Sequence, residues 1–309
     1  ELADSIYGRF RRLLSPMLEL YMVLAMVIGG SSVVSMGGTF FTGLTGLPWI
    51  FGSVLISVLS IVLVLWGARL VRASSSVISA VMIVGMVALS LCAVSARGGE
   101  TLELLSSLDV PAGASIGAGI SGAVALAFSN SVNALTLCSV EQNVRKRSDC
   151  VWIGILSFIL NSSAFMISTL MILPYRDAVA GDDVPVLSIV NGFLSDRFPW
   201  LPAVYMVTMF LALLSSGAPQ LNAVAYRVSR VYPEKGIFRN GIVRNLITGI
   251  AYFALCIIIS TVGLRTIISR GYAALGYLAI PLIVVPLLVI MPVRYSKEKV
   301  ILDESKQIV

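Results

Sequence analysis

The chain has 309 residues, of which 57% are hydrophobic and 12% charged, and its mean hydropathy is +0.93. A soluble domain is about 45–50% apolar and about 25% charged, so this excess of apolar residues does not fit into one globular core. The formal charge of +6 comes from basic residues between the apolar runs, where it indicates membrane topology rather than binding to nucleic acid. The sequence contains no histidine, the commonest general base at neutral pH, and we expect no enzyme activity.

Apolar runs of roughly 20 residues, the length that crosses a hydrocarbon layer of about 30 Å, recur along the whole chain. We predict an all-α polytopic membrane protein with about eight transmembrane helices, forming a single domain over residues 1–309 and ending in a tail at 294–309. The predicted spans are 16–43, 48–68, 74–96, 115–140, 150–173, 200–226, 241–263 and 271–292.

The basic residues predict the orientation of these spans, because cytoplasmic loops hold the excess of Lys and Arg. Basic clusters fall in alternate connections and at both ends, whereas the connections near Glu100 and Asp183 are acidic. We therefore expect a multi-pass protein of the cell membrane, in a bacterium the inner membrane, with both ends cytoplasmic. Five arginines depart from this rule: Arg97, Arg176, Arg197, Arg265 and Arg270.

The long connection from Leu173 to Trp200 contains an apolar piece at 184–190, followed by Phe193 and Leu194. This piece is too short to span a bilayer. It fits a helix at the membrane surface that caps an external vestibule, and it fits a simple packed loop equally well.

Polar residues inside a predicted span are informative, because side chains in a bilayer lack water and must find partners. In the fourth span the segment SNSVN places polar groups near the middle of an apolar run. Consecutive residues point in different directions around a helix, so local unwinding at a substrate site is one interpretation. Hydrogen bonding between helices is the other. The candidate substrate-binding residues are Ser129, Asn130, Ser131 and Asn133.

Two further spans and the first span carry polar or small residues. Asn161 lies in the fifth span, and the sixth span contains Ser215, Ser216, Gln220 and Asn222. The small residues of the first span let a neighbouring backbone approach closely or line a permeation path. They are Gly29, Gly30, Ser31, Ser32, Ser35, Gly37 and Gly38. The four cysteines have no CxxC spacing, and we interpret them as packing residues.

The order of several segments resembles the YkvI-type integral membrane proteins, which are assigned as amino-acid permeases of the amino acid-polyamine-organocation superfamily. The segments are YMVLAMVIGGSSVVSMGG, AFSNSVNALTL, DVPVLSIV, FLALLSSGAPQLNAVAYRV and ISRGYAALGYLAIP. The resemblance implies the inverted-repeat fold of the sodium-coupled leucine transporter. Residues 16–96 then resemble its helices three to five, and 115–292 resemble helices six to ten. Helices one and two are absent, so we expect a truncated sequence or a divided gene, with a partner chain or segment supplying them.

The resemblance also implies roles for individual residues. Ser215 and Ser216 look like a hydroxyl pair that helps to bind sodium, and hydroxyl oxygens suit such a hard cation. Asn161, Gln220 and Asn222 are candidates for lining the same cavity. No other cofactor or metal is expected.

The leading hypothesis is a cation-coupled secondary transporter of a small organic solute, most simply an amino acid, working by alternating access. No nucleotide-binding P-loop is present, so an ion gradient is the remaining driving force. A transporter-like ligand sensor or accessory membrane subunit is the alternative, and a scaffold that packs against partner helices is a third. The same polar clusters serve all three, and the substrate and the choice between sodium and proton stay open.

Overall fold

The computed structural model describes residues 7, 11–66, 68–107, 115–130, 146–231, 240–290 and 292. Within these residues the regular structure is entirely helical, which confirms the all-α prediction. The tail at 294–309 lies outside them. The helices are α1 (Arg11–Thr45), α2 (Trp49–Leu65), α3 (Ala68–Ser107), α4 (Ile116–Ser129), α5 (Arg147–Ile172), α6 (Pro185–Leu194), α7 (Leu201–Val231), α8 (Gly241–Ser260) and α9 (Leu264–Ile290).

Each predicted span overlaps one of these helices. By length and composition, α1, α3, α5, α7, α8 and α9 are able to cross a membrane. Helices α2 and α4 are apolar but shorter, with 17 and 14 residues, and residues 131–140 of the predicted fourth span lie outside the described part. The described residues therefore contain six apolar helices that are long enough to span a membrane, as expected of a multi-pass membrane protein. The inverted repeat stays a prediction.

Side-chain caps begin three of the helices. The Ser115 hydroxyl accepts a hydrogen bond of 3.0 Å from the backbone N–H of Ala118 at the start of α4. Asn240 accepts one of 3.0 Å from Ile242 at the start of α8. Asp149 accepts one of 3.0 Å from the Lys146 N–H at the start of α5. Each cap satisfies a donor that would otherwise lack a partner at a helix end.

The chain divides into two compact units, which are described separately. The first comprises Glu1–Ile28, Gly113–Asn143 and Thr266–Val309. Its apolar core joins the first part of α1 to α9, with Tyr21 and Leu275 among the buried side chains. A methyl group at Gly276 would collide with the carbonyl oxygen of Ala125, so this glycine brings α9 against the backbone of α4.

Two prolines shape the end of α9. Pro281 and Pro286 lie in π-helical segments, Ile280–Val284 and Pro286–Ile290. Pro286 has no N–H, so it cannot supply the donor that an α-helix would offer to the Leu282 carbonyl. The buried Tyr7 hydroxyl donates a hydrogen bond of 2.5 Å to that carbonyl oxygen.

The second unit comprises Gly29–Ala112 and Val144–Arg265, and within it α2 packs against α1, α7 and α8. The α2 serines Ser53, Ser57 and Ser60 are buried. Their spacing of four and three places them on one face of the helix. The Ser53 hydroxyl donates a hydrogen bond of 3.0 Å to the Val34 carbonyl of α1, and Ile61 of α2 packs against Gly249 of α8.

The apolar piece predicted in the long connection forms α6 and packs into the second unit. Ile189, Val190 and Leu194 are fully buried in a cluster that includes Leu89 of α3 and Tyr205 of α7. The piece is therefore a packed helix, and its Leu187 also lines a cavity described below. Its position at the membrane surface, as a cap over an external vestibule, stays a prediction.

Three of the arginines that depart from the charge rule have local partners in the second unit. Arg97 lies 3.3 Å from Glu100, and its guanidinium lies 4.9 Å from the centre of the Tyr175 ring. Arg176 pairs with Asp177 at 3.6 Å, and the Arg197 guanidinium lies 5.6 Å from the centre of the Phe198 ring. These contacts stabilise the positive charges of the three arginines at these positions.

Candidate functional site

The second unit contains a cavity of about 770 Å³ whose lining combines hydroxyl and carboxylate groups with apolar surface. It lies where the C-terminal part of α1, the start of α2, the segment before α6 and the turn after α8 come together. The lining residues are Ser35, Thr39, Thr42, Gly43, Trp49, Gly181, Asp182, Asp183, Val184, Leu187, Ser188, Ser260, Thr261, Gly263 and Leu264.

Helix α1 contributes three hydroxyls to the cavity. Ser35, Thr39 and Thr42 are separated by four and three residues, a spacing that puts them on one face of the helix. Ser35 is only 6% exposed. The Thr42 Oγ1 atom is buried, and among the described residues it has no hydrogen-bond partner. A buried hydroxyl without a partner is costly, so this atom is suited to contact water or a ligand.

The turn after α8 contributes two more hydroxyls. The Ser260 hydroxyl donates to the Ile257 carbonyl oxygen, and the Thr261 hydroxyl donates to the Ile258 carbonyl oxygen, both over 2.7 Å. Because each hydrogen is already committed to the helix end, each oxygen is left as an acceptor. Gly263 reverses the chain with a φ of +94°, a conformation that a side chain disfavours.

The charged side chains among the described lining residues are all acidic. Among the fifteen described lining residues, Asp182 and Asp183 carry carboxylates and none is Lys or Arg. Both aspartates are exposed and precede α6. The cavity therefore combines negative charge with hydroxyl oxygens and the aromatic ring of Trp49.

The predicted substrate segment lies in the first unit. Ser129 is the last residue of α4, and its hydroxyl donates to the Leu126 carbonyl over 2.7 Å. The Asn130 side-chain amide donates to the same carbonyl over 3.0 Å. Both groups thus satisfy the end of α4. Ser131 and Asn133 lie outside the described residues, so the substrate assignment stays a prediction.

The predicted cation pair and the weaker candidates lie in the second unit. On α7, Ser215 is half-buried and Ser216 is exposed, whereas Gln220 and Asn222 are half-buried. Asn161 is exposed on α5. None of these five residues lines the cavity described above. Their assignments to a cation or solute stay predictions.

The small residues of α1 form close helix contacts. A methyl group at Gly38 would lie 2.5 Å from Ser53 Oγ and 2.7 Å from the Trp49 carbonyl oxygen. One at Gly30 would collide with the Tyr252 hydroxyl. These contacts match the packing interpretation of the stripe, while Ser35 of the same stripe lines the cavity.

Apart from Ser35 and the apolar piece at 184–190, sequence reasoning missed the cavity residues, although two signals were present. The hydroxyls of α1 recur at helical spacing in the printed sequence. The adjacent carboxylates of Asp182 and Asp183 stand directly before the apolar piece that forms α6. The third contribution, from Ser260 and Thr261, is about 220 residues away from Thr39 along the chain, and no local pattern joins them.

No protein-family model matches the chain, and no curated protein or solved structure matches it either. The resemblance to YkvI-type proteins therefore stays a prediction. Function has to be inferred from the helices, the cavity and the polar residues themselves.

Proposed function

We propose that the protein is a secondary transporter of a small organic solute, driven by a cation gradient and working by alternating access. The observation that carries the proposal is the cavity of about 770 Å³, lined in part by hydroxyl and carboxylate groups, in a molecule with six membrane-length helices. Ligand cavities commonly have volumes of about 300–1,000 Å³. Hydroxyl groups placed between apolar helices are costly, and a polar solute is a reason to keep them there.

The proposal includes a division of roles. Ser215 and Ser216 contact the coupling cation, for which their hydroxyl oxygens are suitable ligands, and sodium is the simplest choice. Ser129, Asn130, Ser131 and Asn133 contact the solute, and an amino acid is the proposed substrate class. Asn161, Gln220 and Asn222 are secondary candidates for lining the path. The protein would work in the cell membrane with both ends cytoplasmic.

Uptake by the purified full chain in proteoliposomes tests the proposal. Radiolabelled amino acids are offered with and without an inward sodium gradient, and sodium-dependent accumulation above equilibrium is the expected result. Ser215→Ala combined with Ser216→Ala should abolish the sodium dependence. Ser162→Ala combined with Ser163→Ala is the matched control, because it removes an adjacent hydroxyl pair that is exposed on α5.

Two outcomes would contradict parts of the proposal. If the solute binds but no gradient drives its accumulation, the ligand-sensor or accessory-subunit alternative is favoured. If the double variant at Ser215 and Ser216 keeps full sodium dependence while the chain still transports, the cation assignment is wrong. An equal loss in the Ser162 and Ser163 control would point to general destabilisation.

A further inference from the structure

We infer that the cavity of the second unit binds the protonated amino group of a small organic solute through Asp182, Asp183 and the surrounding hydroxyl oxygens. As a binding site, this inference stands on the cavity alone. As an identification of the transported substrate class, it rests on the proposed function. The proposed site is separate from the α4 and α7 residues assigned above. The inference also specifies that the ligand carries a positive charge.

The first reason is charge. Two adjacent carboxylates belong to the lining, and no basic side chain does so among its described residues. Asp177 is paired with Arg176, but Asp182 and Asp183 have no such ion pair among the described residues. An anionic ligand would meet uncompensated negative charge here, whereas a cation would be attracted.

The second reason is the direction of the hydrogen bonds. An ammonium group offers three donors and no acceptor. The carboxylates only accept, and Ser260 and Thr261 have committed their hydrogens to the carbonyls of Ile257 and Ile258. A ligand rich in acceptors would find few donors on this side of the cavity. The lining is thus biased toward a ligand that donates.

The third reason is the unpartnered Thr42 hydroxyl. Its oxygen is buried, and Thr39 and Ser35 lie about one and two turns before it on the same helix face. A ligand N–H would give the Thr42 oxygen the partner that it lacks. Trp49 adds an aromatic face to the same cavity, and a cation is attracted to such a face.

Ligand-dependent thermal stabilisation of the purified full chain in detergent tests this inference. The probes are 1,4-diaminobutane, its neutral counterpart 1,4-butanediol and the anion butanedioate. The diamine should raise the melting temperature in a saturable way, and the diol and the dianion should leave it unchanged. Equal stabilisation by diamine and diol would overturn the inference.

Two variants locate the site. Asp182→Asn combined with Asp183→Asn should weaken diamine binding at least about tenfold, the change expected for losing roughly 1.4 kcal/mol. Asp177→Asn combined with Asp196→Asn removes the same charge from the same connection outside the cavity and should change the dissociation constant by less than about twofold. Equal weakening of diamine binding by the two double variants would show that the diamine is attracted to the acidic residues of this connection in general. That result would overturn the assigned site.

A third variant avoids any effect of overall charge. Thr42→Val keeps the shape of the side chain and removes its oxygen. It should weaken diamine binding without lowering the melting temperature of the ligand-free protein, because the hydroxyl makes no hydrogen bond to a described residue. Unchanged diamine binding in this variant would show that Thr42 does not belong to the site, and the argument from its unpartnered hydroxyl would fail.

The failure of this inference is distinguishable from failure of the proposed function. Diamine binding that depends on Asp182 and Asp183, without sodium-driven accumulation in proteoliposomes, would retain the site and reject the transporter. Sodium-driven accumulation that is insensitive to both aspartates would retain the transporter and reject the site.

Discussion

The Tyr252 hydroxyl of α8 donates a hydrogen bond to Gln220 Oε1 of α7 over 3.3 Å. Two glycines of α1 leave the space for this pair. A methyl group at Gly29 would lie 3.0 Å from Gln220 Nε2, and one at Gly30 would collide with the Tyr252 hydroxyl. This hydrogen bond between α7 and α8 therefore depends on two positions of α1 being glycine, which has no side chain.

Replacing Tyr252 by Phe tests the energetic value of this link. The variant leaves the half-buried Gln220 amide oxygen without its donor, and we expect a loss of about 1 kcal/mol in the free energy of unfolding. The measurement is unfolding of the detergent-solubilised protein by titration with a denaturing detergent. Gln220→Leu and the double variant complete a thermodynamic cycle. Additive single effects would mean that the two side chains do not interact.

Gly38→Ala should be strongly destabilising. The added methyl group meets the Trp49 carbonyl oxygen at 2.7 Å, and a backbone atom cannot move aside as a flexible side chain does. We expect a cost of about 1–3 kcal/mol, because α1 and α2 must separate. The melting temperature in detergent measures it.

Gly154→Ala is the matched control for the close contact at Gly38. Gly154 lies within α5, and a methyl group there would meet no atom within 4 Å. Because Ala favours a helix over Gly by about 0.5–1 kcal/mol, this variant should be neutral or stabilising. Similar losses in both variants would contradict the close approach of α1 and α2.

Arg97→Gln should destabilise the contact between α3 and the segment that follows α5. The guanidinium of Arg97 lies over the Tyr175 ring and within 5.6 Å of the centre of the Phe193 ring, and it also pairs with Glu100. We expect a loss of about 1 kcal/mol, since the contacts are partly exposed. Arg197→Gln, which loses a ring contact with Phe198 at 5.6 Å, should cost less. The reverse order in thermal unfolding would refute this ranking.

Gly263→Ala should strain the turn that presents Ser260 and Thr261 to the cavity. Its φ of +94° disfavours a side chain, although an added methyl group would meet no atom within 4 Å. We expect a cost of about 1 kcal/mol from the backbone alone. Gly263→Asn should cost less, because asparagine tolerates positive φ better than alanine. Equal melting temperatures for the two variants would contradict this origin of the cost.

The helices were predictable from the sequence because hydropathy reports directly which segments suit a bilayer. The residues at which the helices begin and end were less predictable. The first span was predicted at 16–43, but α1 runs from Arg11 to Thr45, since a helix continues beyond its apolar stretch wherever its backbone hydrogen bonds continue. The span predicted at 74–96 ends where α3 is kinked, because Arg97 has non-helical backbone angles (φ −138°, ψ 34°), and a further helical segment continues to Ser107.

The cavity was not predictable, because it is a tertiary arrangement. Thr42, Asp183 and Thr261 belong to three separate parts of the sequence, and only the packing of α6 and the turn at Gly263 brings them to one place. Ser60, fully buried on α2 beside Gly217, was overlooked for a related reason. A serine in an apolar run gives no sign of which helix it faces.

The hydroxyl-rich lining of the cavity has a consequence for the heat of binding. Hydroxyls and carboxylates hold water well, so a ligand exchanges places with bound water at these groups. It also covers the apolar surface that Trp49, Val184, Leu187 and Leu264 contribute to the lining. Only burial of apolar surface gives a large negative heat-capacity change on binding. Calorimetry of a small ammonium ligand at several temperatures should therefore give a binding enthalpy that becomes more negative as the temperature rises, with a slope set by the apolar lining that the ligand covers.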